Sequence, residues 1–202
     1  MICQDEPQLQ PAAGKTMARI PPVAYEDSAG EVRVEFDRII DEHGRLTNMK
    51  QTLGHSATAL RSLMSWYPLR DEVQAFLGSR ATTLFVHAIS SATDCLICST
   101  FFRRILIDAG ENPDQLSLNA REQAVVDFAR QLVNDPNQVT DELYDRLAGH
   151  FEPAQIVALT AFGGIMIATN VFNNALRVDL DEYLQPYRRE APAAALSRKG
   201  DA

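Results

Sequence analysis

The chain lacks most of the features by which several protein classes can be recognised. It has no basic excess: 19 Lys and Arg stand against 27 Asp and Glu, for a net charge of −8. A surface of that sign repels phosphate backbones, so no nucleic-acid partner is expected. Cysteine is scarce, three in 202 residues, with Cys3 near the terminus. That is too few for a disulfide framework, and the usage fits a reducing, cytoplasmic setting. The opening MICQDEPQLQPAAGKT carries acids where a secretion signal would be basic, and it has no apolar centre. The most apolar run, 156–169, is interrupted by Thr160, Gly163 and Gly164 and followed by Asn170, Asn173 and Asn174. It is too short and too polar at its end for a membrane span, and reads as a buried or intersubunit helix. The four histidines, His43, His55, His87 and His150, show no ligand spacing, and no metal or cofactor is expected. No stretch alternates apolar and polar residues with period two, which leaves no case for strands.

What remains is helical patterning. At 202 residues and 46% hydrophobic, the chain can bury a core as one domain. Residues 1–17 are expected to form a flexible extension, 18–187 the helical domain and 188–202 a flexible tail. Pro21 and Pro22 favour an extended arm that Ile20 and Val23 can pin to the body. Val32, Phe36, Ile39 and Ile40 recur at spacings of three and four, predicting a helix over 30–42, capped by Ser28 and stopped at His43 and Gly44. A short helix follows over 46–53, with Thr47 or Asn48 near its start. Another runs from Ser56 to Tyr67, broken by Pro68, and a short one over 71–77 ends at Gly78. Ser79 caps the next. Helices are further predicted over 120–133, opened by Leu118 or Asn119, over 141–150 behind Thr140, and from Pro153 to about Leu176. The fold class is all-α.

The chemistry-bearing motif is Asp94-Cys95-Leu96-Ile97-Cys98, a C-x-x-C between helical stretches 79–93 and 95–109. Asp94 is a suitable cap for a helix beginning at Cys95, which would put both thiols in its first turn, where unpaired N–H groups and the helix dipole favour thiolate. A single unbroken helix competes with this arrangement, since neither Gly nor Pro enforces a break. The bland reading of the cysteines is that they are small, inert core residues. Arg103 and Arg104 can offset the Asp94 charge or serve as surface or intersubunit charges.

The order and spacing of several blocks resemble the AhpD-like superfamily of alkylhydroperoxidase D and the carboxymuconolactone decarboxylases, in its peroxidase-related branch. The blocks are ARIPPV with the helix after it, Leu53-Gly54-His55-Ser56, the helix pair around Cys95 and Cys98, segments 119–135 and 139–147, and Asn170-Val171-Phe172-Asn173-Asn174-Ala175-Leu176. The resemblance spans about 18–187. It implies a multi-helix AhpD-like fold and a homo-oligomer (trimer, hexamer or dimer). It also implies a thiol peroxidase in which the second cysteine attacks peroxide, the first closes a disulfide, and an external dithiol resets the pair.

Transferred residue by residue, Cys98 is the nucleophile and Cys95 the resolving thiol. The family's motif Glu falls on Thr83 and its motif His on Phe102, so both proton-relay groups are missing. If the chain reverses near Asp94, His87 can face Cys98 as a substitute relay. On an unbroken helix the two would stand about 16 Å apart at ~1.5 Å per residue. A packed core histidine is the competing reading. Thr83, Phe101 and Phe102 are expected to wall a substrate pocket, with His55 and Tyr67 as reserve candidates for decarboxylase-type chemistry. The expected function is an antioxidant peroxidase acting on hydrogen peroxide or a small organic hydroperoxide. The alternatives are a catalytically degenerate, oligomeric small-molecule-binding protein, or a lyase.

Overall fold

The computed structural model describes residues 17–189, so the terminal extension containing Cys3 and most of the tail lie outside the described residues. Among the described residues there are α-helices and 3-10 turns and no strands. The helices are α1 (Gly30–His43), α2 (Asn48–Leu53), α3 (Ala57–Met64), α4 (Trp66–Leu77), α5 (Ser79–Ala92), α6 (Leu96–Asp108), α7 (Ala120–Asn134), α8 (Asp141–Ala148) and α9 (Pro153–Leu176). A 3-10 segment, Glu182–Tyr187, closes the described chain.

Local chemistry sets most boundaries. Thr47, Ser56 and Thr140 each accept a backbone N–H from the first turn of the helix they precede. Asn119 and Glu122 form a reciprocal capping box at the start of α7. Gly44 ends α1 in the left-handed region, at φ 77°, where its N–H reaches the Ile40 carbonyl.

Four sequence expectations are corrected. Ser28 does not cap α1; its hydroxyl donates to the Tyr25 carbonyl, and Ala29 occupies the cap position. Pro68 breaks nothing, because it lies in the first turn of α4, where its missing N–H would have had no helical partner. The break falls instead at Ser65, and 71–77 continues α4. Ser79 is the first residue of α5, behind Gly78 as cap. Asp94 does not cap α6; Cys95 does.

Helix α5 occupies the centre, packed against α6, α7, α9 and α4. Phe85 and Ile89 on α5 and Leu159 and Phe162 on α9 have no exposed surface. Each such side chain contributes roughly 1.5–3 kcal/mol by burial. Gly163 permits the close approach of α9, since a Cβ there would lie 2.7 Å from Leu132 and 3.2 Å from Phe85. A smaller cluster of Phe36, Ile39, Leu53, Leu60 and Met64 joins α1, α2 and α3. The N-terminal arm is pinned to the body by Arg19 N–H donating to the Leu176 carbonyl and Val23 N–H to the Gln51 carbonyl.

Helix α9 has the expected bounds, Pro153–Leu176, but the expectation that its apolar run is too short for a membrane span is corrected. By length and mean hydropathy (1.6) it could cross a membrane, although Phe162, Met166, Asn170 and Asn173 are buried within the domain.

Candidate functional site

The site begins with how α5 stops. Its last turn closes with Asp94 N–H donating to the Ser91 carbonyl and Cys95 N–H to the Ser90 carbonyl, while Asp94 adopts φ 50°. This is a Schellman ending with Asp in the position glycine usually takes, which a short polar side chain tolerates. Cys95 then accepts the Ser99 N–H on its carbonyl, the first bond of α6. One residue therefore ends α5 and opens α6. The reversal is real, and the competing unbroken helix is excluded.

Cys95 as the cap and Cys98 in the first turn are both free thiols and both buried, at 0% and 6% exposure. Their ionisation is unequal. The neighbouring Cys98 thiol brings Cys95 down to about 7, helped by the Cys98 and Ile97 amides at the helix start and by Asn173. Cys98 is pushed up by the same pairing with Cys95, and by burial. Cys95 is thus the first to ionise.

Asn173 of α9 lies across the pair. Its Nδ2 stands 3.3 Å from Cys98 Sγ, 3.9 Å from Cys95 Sγ and 3.5 Å from Met49 Sδ. Its neighbour Asn170, one turn earlier, donates to Thr93 Oγ1 at 2.8 Å, tying α9 to the end of α5.

Cys98 opens onto a cavity of about 660 Å³. Its apolar wall includes Met64, Trp66, Phe101, Phe102 and Met166, and Thr83 and Tyr67 also line it. Thr83 and Phe102, expected from the resemblance to stand where a Glu and a His would, therefore share one cavity with the thiol. Thr83 donates its hydroxyl to the Ser79 carbonyl, and Phe102 packs edge-on to Phe101.

His87 is elsewhere. It lines a second cavity with Asp114, Gln123 and Arg130. Burial, with Arg103 nearby, lowers it to about 4, so it is neutral at pH 7. The reversal at Asp94 does not turn His87 into the Cys98 cavity, and the substitute relay has no geometric support. His55 is also accounted for otherwise: its Nε2 bonds the Pro21 carbonyl at 2.9 Å and holds the arm.

Several cavity residues were not anticipated from sequence. Lys50 is 4% exposed, and burial lowers its ammonium to about 8. Asp181 is buried nearby, raised by burial, and accepts the Asn48 N–H. Arg104 lines the cavity rather than acting as a surface charge, and Arg103 pairs with Asp114 at 2.7 Å. The His43 ring stacks on Tyr67 at 3.6 Å. Among the described residues no cluster of His, Cys, Asp and Glu is arranged to hold a metal.

Sequence comparison finds neither a matching family model nor a matching curated protein. Solved structures do match. An uncharacterised peroxidase-related protein with an alkylhydroperoxidase AhpD core, from Ralstonia eutropha JMP134, is similar with TM-score 0.66 at 17% identity, over 85% of this chain and 96% of that one. The debrominase Bmp8, as a cysteine-to-alanine variant in complex with 2,3,4-tribromopyrrole, is similar with TM-score 0.69 at 19% identity, over 86% and 97%. A peroxidase-related protein from Silicibacter sp. TM1040 gives 0.65 at 17%, over 87% and 100%. With the helix order described above, these similarities establish that this chain has the AhpD-like fold.

Proposed function

We propose that the protein is a thiol-dependent peroxidase that uses Cys98 and Cys95 as a redox pair. The observation that carries this reading is the placement of Cys98 on the wall of the cavity, with Cys95 one turn away and Asn173 reaching both sulfurs. With Thr83 and Phe102 in the family's relay positions, proton transfer falls to the thiols themselves. Cys95, ionised near neutral pH, takes the Cys98 proton as Cys98 Sγ attacks the terminal oxygen of the hydroperoxide. The O–O bond breaks, Cys98 becomes a sulfenic acid, and the proton parked on Cys95 goes to the departing alkoxide. Cys95 thiolate then attacks Cys98 Sγ, the S–O bond breaks, and hydroxide leaves to be protonated by solvent. An external dithiol reduces the disulfide by exchange, which requires a reducing compartment such as the cytoplasm.

The test is stopped-flow oxidation of the reduced protein by hydrogen peroxide and cumene hydroperoxide, with products assigned by mass spectrometry. Rapid formation of a Cys95–Cys98 disulfide, lost in Cys98→Ser and arrested at sulfenic acid in Cys95→Ser, is expected. Oxidation no faster than that of a free thiol would leave the cavity as a binding site only. The aromatic wall, together with the similarity to a debrominase, favours one second reading, thiol attack on a halogenated aromatic ring; halide release from a bromopyrrole would reveal it.

A homo-oligomer built on α9 is part of the same proposal. Val157, Ala161, Gly164, Ala168 and Val171 form an exposed seam, with Val157 and Val171 69% and 59% exposed. Their alternation of four and three is the spacing by which two helices pack along a common line. The occupant is a second copy of this chain.

A further inference from the structure

The polar groups of the Cys98 cavity are unbalanced, and the imbalance has a sign. Four cationic side chains line it: Arg45, Lys50, Arg70 and Arg104. Arg70 is committed to Asp71, and the cavity's Glu42 is committed to Arg38 and His43. That leaves Arg45, Lys50 and Arg104 facing Asp181 alone, and none of the three has a carboxylate within 4 Å among the described residues. Lys50 has one hydrogen-bond acceptor, the Arg45 carbonyl at 3.3 Å, for an ammonium with three donors.

Two donors at the cavity, Arg104 Nε and Trp66 Nε1, are buried without an acceptor, against one acceptor, Asp181 Oδ2, buried without a donor. Buried polar groups are nearly always paired, so orphaned donors of this kind imply an acceptor that the protein itself does not supply. Arg45 and Arg104 are held in place by stacking on the Tyr183 ring, at 4.4 and 5.4 Å. Beside them the wall is aromatic and apolar, formed by Trp66, Phe101 and Phe102.

We infer that the cavity binds a small organic anion: a flat, apolar body against the aromatic wall, carrying one carboxylate or phenolate that pairs with Lys50 and Arg104. This rests on reading the cavity as the substrate site of the proposed peroxidase, and it narrows that substrate to an anionic hydroperoxide rather than a neutral one. Charged hydrogen bonds in a desolvated pocket discriminate strongly against an analogue lacking the charge.

Trp66 is the chain's single tryptophan and stands in the cavity wall, so it reports occupancy directly. The experiment titrates the reduced full-length protein with 4-bromobenzoate, a heavy-atom quencher, and with its uncharged methyl ester. Saturable quenching by the acid is expected, with a Kd at least tenfold below that of the ester. Arg104→Met and Lys50→Met should each bring the two ligands level. Equal or tighter binding of the ester, or no saturation with either, overturns the inference. The comparison of acid with ester in the unaltered protein needs no variant to fold. Neither ligand is a hydroperoxide and the readout is binding, so an inactive thiol pair cannot produce a negative result here, and a negative result here leaves peroxidase activity toward neutral hydroperoxides intact.

Discussion

Asn173 Nδ2 donates toward Cys98 Sγ across 3.3 Å, from the last turns of α9 to the first turn of α6. An amide N–H aimed at sulfur favours the charged form, and here it also reaches Cys95. Asn173→Ala should therefore raise the first thiol ionisation by about one unit. If that ionisation moves from about 7 to about 8, the thiolate fraction at pH 7 falls about fivefold, and peroxide oxidation should slow in proportion. Iodoacetamide alkylation rates against pH would show the shift. An unchanged profile would mean that the amide only fills space.

The two thiols should titrate in two separated steps. In a Cys3→Ser background, thiolate absorbance near 240 nm should gain one equivalent with a midpoint at about 7 and no second equivalent below pH 9. Cys98→Ala removes the largest influence that lowers Cys95, so its midpoint should climb toward the ordinary thiol range. Two equivalents rising together near pH 9 would contradict the unequal pairing.

His87 affects stability rather than peroxide chemistry. Its folded-state value of about 4 lies below the ordinary 6.5, so between pH 6.5 and 4 the unfolded chain binds the proton that the native state refuses. Stability should therefore decline as pH falls through that window, by an amount on the order of a few kcal/mol at the acid end. Arg103, Arg130 and Arg189 oppose the proton and Asp114 favours it. Urea melts of His87→Gln should show a flatter pH dependence, with peroxide oxidation at pH 7 within twofold of the parent protein. A large loss of oxidation rate would restore His87 to the reaction.

Where sequence and structure agree, the information was local. Thr47, Asn119, Thr140 and Pro153 each act within one turn, and each marks its helix correctly. Pro68 and Asp94 were misread for a shared reason: either residue type suits two positions that only the neighbouring backbone distinguishes. Proline fits after a helix or inside its first turn, and Asp fits at an N-cap or in the left-handed residue of a Schellman ending. The cysteine pair was visible because its spacing is local. Lys50, Asp181 and Arg104 were not, because their meeting depends on contacts such as Asn48 N–H to Asp181, 133 residues apart. A lysine beside Met49 and Gln51 carries no sign that it will be 4% exposed. Asn173 lay in a block already noted as family-like, but nothing in that block says that its amide meets sulfur.

The α9 seam offers a sharp test because Gly164 lies at its middle. A Cβ built at Gly164 meets nothing within 4 Å, so a longer side chain there projects outward without disturbing the domain. Gly164→Ala should keep the assembly and stabilise α9 by up to about 1 kcal/mol, the usual helix cost of glycine. Gly164→Glu puts like charges face to face across a two-fold contact and should give monomers with unchanged circular dichroism. Light scattering behind size exclusion, at micromolar protein, reads the mass of all three. Assembly surviving in Gly164→Glu would move the interface off α9. A monomeric parent protein would remove the oligomer and leave Val157 and Val171 exposed with no partner to cover them, at which point flotation with lipid vesicles should decide whether α9 meets a membrane instead.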